Sequence, residues 1–168
     1  MSDDFSQIVN LVNLYAVATD SHRYDLFERI FTPDVHLDVG GGVSIDGLEV
    51  LMSGYRDIHA VFSATQHMTS GHTITIEGDE AHCFSYVCGR FRRPLEDGEG
   101  LFEMTGWYDD VLRRMPGGWR ISERVSRMVS CNGDVKVMQA MPCVDTNYVL
   151  SALFDEADAG RIRFLSRI

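Results

Sequence analysis

No stretch of this sequence approaches the ~20 consecutive apolar residues that a membrane-spanning helix requires. Its opening residues, MSDDFSQ, are acidic and polar, the opposite of the basic start of a secretory leader. Both absences predict a cytoplasmic protein with no membrane partner. Basic residues are in short supply, since 15 Lys and Arg face 25 Asp and Glu for a formal charge of −10. A nucleic-acid groove draws most of its affinity from Lys and Arg, so the charge balance argues against that partner. The local cluster Arg90, Arg92 and Arg93 reads as a solvated strand end. Cys83, Cys88, Cys131 and Cys143 include no CxxC pair, which removes zinc ribbons and thioredoxin-like sites. Gly40-Gly41-Gly42 has neither GxGxxG spacing nor a following GK[ST] helix start, so it reads as a turn and not a phosphate loop. Carboxylates and histidines at metal-ligand spacing are missing as well, and neither metal nor cofactor is expected. There is no internal repeat and no low-complexity segment.

What is there is a chain of 168 residues, 45% hydrophobic and 24% charged, the composition of one ordinary globular domain. Ser2 or Asp3 can cap a helix whose apolar positions Phe5, Ile8, Leu11, Val12, Tyr15 and Ala18 recur at helical spacing, with Asp20 near its end. A short helix is predicted over Tyr24 to Phe31, stopping at Thr32-Pro33, then a strand from Asp34 to Val39. A third helix is predicted from Leu48 to about Phe62, on the stripe Leu51, Tyr55, Ile58 and Phe62.

The chain then changes period. His72, Ile74 and Ile76 alternate with Thr73, Thr75 and Glu77, and Gly78-Asp79 reads as the turn of a hairpin returning through Glu80 to Phe91. Residues 94–100, PLEDGEG, read as a loop. Leu101 to Leu112 forms a long strand with Phe102, Met104, Gly106, Tyr108 and Asp110 on one face, and Trp119 to Val129 forms another. A final helix is expected over Tyr148 to Asp158. Helices first and long antiparallel strands afterwards define an α+β fold with helices on one face of a sheet. A sheet curled around helices leaves a conical cavity, the usual place for a ligand in a small fold.

His67 stands just ahead of the strongest alternation, where a strand can aim its imidazole into that cavity. On a regular strand His72 lies on the opposite face from His67. His22, His36, His59 and His82 read as surface or edge residues, and Trp119, Arg120 and Arg124 as packing and salting the sheet. Tyr86 shares a face with Phe84 and Cys88 and is expected to line the cavity.

The pattern Tyr15…Asp20, Asp25-Leu26, Phe31-Thr32-Pro33-Asp34, Gln66-His67, Gly78-Asp79-Glu80-Ala81, Thr105 to Asp110, and Gly118-Trp119-Arg120-Ile121 with Arg124 resembles the SnoaL-like, scytalone dehydratase-like branch of the NTF2-like superfamily. The resemblance implies a cone with a curved antiparallel sheet wrapped around N-terminal helices. It assigns residues 1–131 to the domain and leaves 132–168 as an extension packing on or capping it. Members include dehydratases, a dehydrochlorinase, isomerases, polyketide cyclases and small subunits of ring-hydroxylating dioxygenases, so fold alone does not choose the reaction.

By resemblance Asp20 and His67 fall on the positions of an aspartate–histidine pair, in which the carboxylate fixes the imidazole tautomer and the other ring nitrogen takes a proton from carbon. The implied activity is a cofactor-independent, dehydratase-type β-elimination on a small cyclic or aromatic-derived metabolite. His67 and Asp20 are the catalytic candidates, and Tyr15, Tyr86 and Tyr108 the substrate-binding ones. The alternatives are a cyclase or isomerase using the same pocket, or a non-catalytic dioxygenase small subunit. For His67 the other reading is a histidine bonded in a non-catalytic pocket, and for Tyr15 and Tyr108 it is core packing. Val39 stands where scytalone dehydratase carries a tyrosine, and Tyr86 where it carries a second histidine, which implies a different substrate. Asp38 is expected to point away from the site. The exposed side of the long strands suggests a homodimer or homotrimer.

Overall fold

A computed structural model describes residues 3–139 and 149–168. The first helix, α1 (Asp4–Asp20), starts where Asp3 Oδ1 accepts from the Ser6 N–H at 2.7 Å, satisfying one of the free donors of the first turn. It buries Ile8, Leu11, Val12, Tyr15 and Ala18 of the predicted stripe, while Phe5, in its first turn, is exposed. A 3₁₀ turn (Tyr24–Leu26) and one turn of α-helix, α2 (Phe27–Ile30), follow. The chain is already extended at Phe31, where β1 (Phe31–Gly40) begins, three residues ahead of expectation. Pro33 accounts for part of this, because its ring disfavours helical backbone at Thr32. The glycine triplet turns β1 into a short strand, β2 (Val43–Asp46), that the sequence pattern did not reveal. Helix α3 (Leu48–His59) stops a few residues early.

Two long hairpins complete the sheet: β3 (Ala64–Glu77) with β4 (Glu80–Leu95), and β5 (Gly98–Met115) with β6 (Gly118–Gly133). The expected 94–100 loop is mostly strand, since only a tight turn separates Leu95 from Gly98. The six strands lie in the order β2-β1-β6-β5-β4-β3, with β1 parallel to β6 and all other pairs antiparallel. The sheet is curved and unclosed, and the helices fill its concave side, which is the predicted α+β cone.

Apolar burial occurs in three places. The main core, between helices and sheet, includes Ile8, Val12, Tyr15, Phe27, Phe31, Leu37, Val87, Tyr108 and Ile121. Each fully buried large side chain there is worth roughly 1.5–3 kcal/mol. A second cluster, Phe62, Phe91, Phe102, Val137 and Met138, closes one end of the cone with residues from the start of the C-terminal extension. A third lies on the outer face, where Ile162 and Phe164 cover Phe84, Trp107 and Val125. Of the expected C-terminal helix, Leu153–Asp158 is helical as α4, while Tyr148 lies outside the described residues, as does Cys143.

One irregularity decides which histidines face inward. The β3/β4 register shifts between Ser70 and Thr73, and Gly71 there has a φ of 64°. Glycine takes this left-handed conformation without a Cβ clash, and the extra residue reverses the inward parity of the strand. Thr65, His67 and Thr69 face α1 before the bulge, while Ile74 and Ile76 join the core after it. His72 therefore lies on the same face as His67, not the opposite one. A second close approach, at Gly106, brings the position of a Cβ within 2.0 Å of the Arg127 carbonyl oxygen, so no larger residue fits between β5 and β6 there.

Candidate functional site

Asp20 closes α1 and His67 sits on the inward face of β3, so the packing of helix on strand brings them together. His67 Nδ1 lies 2.7 Å from Asp20 Oδ1, the His67 backbone N–H donates to Asp20 Oδ2 at 2.7 Å, and Thr65 Oγ1 donates to Oδ1 at 2.8 Å. Burial alone would raise the Asp20 pKa, but the two hydrogen bonds from His67, its charge and the Thr65 hydroxyl outweigh it and hold the carboxyl below its ordinary value. An ionised carboxylate only accepts, so His67 Nδ1 carries the proton and Nε2 of the neutral ring presents its lone pair. Nε2 has no hydrogen-bond partner among the described residues. The His67 side chain is 8% exposed and that of Asp20 22%.

Around the imidazole stand the rings of Phe91, His59 and Tyr15, with centroids at 5.3, 6.4 and 6.5 Å. Tyr15 and Tyr55 share a hydroxyl–hydroxyl hydrogen bond of 2.7 Å, and the Tyr108 ring meets that of Tyr15 edge-on at 5.9 Å. Burial, reinforced by the neighbouring Tyr15, pushes the hydroxyls of Tyr55 and Tyr108 well above their ordinary pKa, so both stay protonated donors. Behind them Arg124 is buried. Its Nε and Nη2 donate to the two Asp110 oxygens at 2.7 Å each, and its Cζ lies 4.4 Å from the Tyr15 ring centre and 4.1 Å from that of Tyr108. Burial opposes the Arg124 charge, but the Asp110 carboxylate outweighs that and raises its pKa.

Of the five candidate residues, Asp20, His67, Tyr15 and Tyr108 converge on the concave side of the sheet. Tyr86 does not. It is 50% exposed and lies on the outer face beside Phe84, because inward residues of β4 are Ala81, Cys83 and Val87, the alternate set. Arg124 likewise corrects its expectation. It points into the core instead of salting the outer face, on a strand whose register shifts opposite Val111/Leu112. His59, expected at the surface, is 4% exposed, and His82, 5% exposed, is buried beside Glu80. Asp38 is held by Arg127 through two guanidinium nitrogens, away from the site as expected. Tyr55, expected only on the apolar stripe of α3, and His59, one turn further on, stand beside the candidate site, a placement their helical spacing does not show.

Three surface hollows, of about 390, 410 and 270 Å³, are lined by neither Asp20 nor His67. Among the described residues no group of three or more His, Cys, Asp or Glu side chains is placed to hold a metal, and no helix is long and apolar enough to cross a membrane.

The cone shares its fold with an NTF2-like superfamily protein from Salmonella enterica, 19% identical with a TM-score of 0.65 and covering 73% of this chain and 89% of that one. Residues 1–125 match the model of the SnoaL-like domain, and the chain belongs to that family. An uncharacterized protein of Mycobacterium tuberculosis is 30% identical over 123 residues, which is 73% of this chain and 83% of that protein. A provisionally assigned scytalone dehydratase from Novosphingobium aromaticivorans is 20% identical with a TM-score of 0.70, covering 77% of this chain and 87% of that one. A type 2 hexachlorocyclohexane dehydrochlorinase is 15% identical with a TM-score of 0.69, covering 83% and 94%. At these identities the two structures share the fold. They place enzymes of elimination chemistry among this chain's structural neighbours.

Proposed function

We propose that this protein is a cofactor-independent lyase that removes water, or a comparable leaving group, from a small cyclic or aromatic-derived substrate. The observation that carries the reading is the 2.7 Å contact between Asp20 and His67 Nδ1, which leaves Nε2 as a basic lone pair without a partner among the described residues. Nε2 takes the proton from the carbon next to a substrate carbonyl. The electron pair moves onto the carbonyl oxygen as an enolate, held by hydroxyls from the Tyr15, Tyr55 and Tyr108 group. The enolate reforms the carbonyl as the β carbon–oxygen bond breaks, and the leaving hydroxide recovers the proton from the imidazolium as water. Asp20 stabilises the imidazolium between the two steps. The names of the two structural neighbours, a dehydratase and a dehydrochlorinase, agree with elimination.

The tyrosine hydroxyl pair equally favours an isomerase or cyclase, which would stop at the same enolate and return the proton elsewhere. Incubation with β-hydroxylated cyclic ketones whose dehydration yields a conjugated or aromatic ring, followed by ultraviolet absorbance, tests the lyase. Wild-type turnover and a loss of ~10²–10⁴ in His67→Gln are expected. Exchange of the α hydrogen with deuterated water, without product absorbance, would favour the isomerase or cyclase. Neither signal, together with co-purification of a large oxygenase subunit, would move the reading to a non-catalytic subunit.

A further inference from the structure

Two polar atoms beside His67 are left over by the mechanism. His59 Nδ1 lies 2.9 Å from the Tyr55 carbonyl oxygen. A carbonyl only accepts, so Nδ1 carries the proton and Nε2 is left with a lone pair and no partner among the described residues. The second is the Tyr24 hydroxyl, which is buried and without a hydrogen bond on a residue that is 5% exposed. The two rings are 6.2 Å apart between centroids, and the His59 ring is 6.4 Å from that of His67. A buried hydroxyl left unsatisfied costs about 1–3 kcal/mol, and native structures rarely retain one without a ligand or water to answer it.

We propose that His59 and Tyr24 form a hydroxyl-binding subsite, in which a substrate hydroxyl donates to His59 Nε2 and accepts from the Tyr24 O–H, with the His59 ring centre 6.4 Å from that of His67. This rests on the lyase reading only for the placement of the reacting carbon. Burial depresses the His59 pKa to about 4 and raises that of Tyr24 to about 12, so across the working range the imidazole is an acceptor and the phenol a donor. A group able to do both is required between them. A hydroxyl meets this condition, while an ether or ketone oxygen leaves the imidazole lone pair facing an acceptor or a methyl group. The substrate class is thereby narrowed to rings bearing a free, non-leaving hydroxyl.

The test uses the full-length protein with isotope-labelled histidine, titrated with phenol and separately with anisole, its methyl ether, while the imidazole nitrogen signals are followed by NMR. Phenol is expected to shift the His59 Nε2 signal and to bind roughly three- to tenfold more tightly than anisole, the range of one net hydrogen bond. His59→Phe should abolish the preference without moving the His67 Nδ1 signal, and Tyr24→Phe should weaken it. A His59 Nε2 signal unmoved by phenol up to its solubility, or equal binding of both probes, overturns the assignment. The two readings fail separately. Phenol selectivity in a protein without elimination activity removes the lyase alone, and elimination with no hydroxyl preference removes the subsite alone.

Discussion

Asp20→Asn replaces one oxygen with an amide at a carboxylate that accepts three hydrogen bonds. Its consequences follow from which oxygen is kept. If the asparagine oxygen stays at the Oδ1 position, it still faces His67 Nδ1, but the amide N–H₂ meets the His67 backbone N–H, donor against donor. If the amide is flipped, it donates to Nδ1, which moves the ring proton to Nε2 and removes the base. Either arrangement loses at least one charge-assisted hydrogen bond, worth about 1.5–3 kcal/mol. The flipped one costs ~10²–10⁴ in rate as well. The same carboxyl has a lowered folded pKa, so it contributes stability above its unfolded value of ~3.9 and loses it as pH falls through the folded pKa. Urea denaturation of both proteins from pH 7 downward should thus find Asp20→Asn less stable at neutrality, with the gap closing in acid. Turnover of the cyclic hydroxyketones and the histidine NMR tautomer signals complete the assay. Wild-type turnover in the variant, or an unchanged Nδ1-protonated tautomer with an unchanged acid limb, would refute the reasoning.

His59 should give a distinct pH signature. Its folded pKa of about 4 lies below the unfolded value of ~6.5, so the unfolded chain takes up the proton first and stability falls as pH drops through that window. The full drop is ~3 kcal/mol, and His59→Phe should flatten that part of a urea-derived stability profile. Arg124→Met leaves the buried Asp110 carboxylate unpaired and should cost ~3–5 kcal/mol, with much of it recovered in Arg124→Met/Asp110→Leu, both read by chemical denaturation. Tyr86→Ala, on the outer face, should leave turnover unchanged and stability within about 0.5 kcal/mol; a large loss of turnover would return Tyr86 to the site.

The sequence pattern reached the fold because its elements have clean periods. The α1 stripe from Ile8 to Ala18 and the alternation after His72 each match one geometry, and the residues quoted for the family resemblance are spread over α1, β1 and the two long hairpins. The pattern reached the Asp20–His67 pair through the resemblance, since nothing in spacing alone brings together residues 47 apart. It missed where the register slips. Tyr86 was assigned inward from a regular alternation of the wrong parity, and His72 outward because the Gly71 bulge has no hydrophobic signature. Arg124 was placed outside because a charge on a strand usually faces water. Its partner, Asp110, lies 14 residues away on the neighbouring strand, and only the β5/β6 register joins them.

That ion pair also bears on why the concave face is polar at all. Replacing a buried pair with apolar residues is often neutral or stabilising, so Arg124 and Asp110 are poorly explained as stability devices. The same holds for the buried Tyr24 hydroxyl, which lacks a hydrogen bond. The outer face is covered over Phe84, Trp107 and Val125 by Ile162 and Phe164, and it too buries polar groups: Asp109 accepts from the Arg163 and Phe164 backbone N–H groups, and Trp107 Nε1 has no hydrogen bond among the described residues. Polar burial is therefore found on both faces of the sheet, and on the concave side it gathers where α1, α3 and the inner strands meet. Those groups differ in acid–base character: a carboxyl held below its ordinary pKa, a tyrosine hydroxyl pushed well above its own and an imidazole lowered to about 4. Packing alone does not call for these opposed acid–base properties in one region of the core, and the proposed proton transfer at carbon would use them.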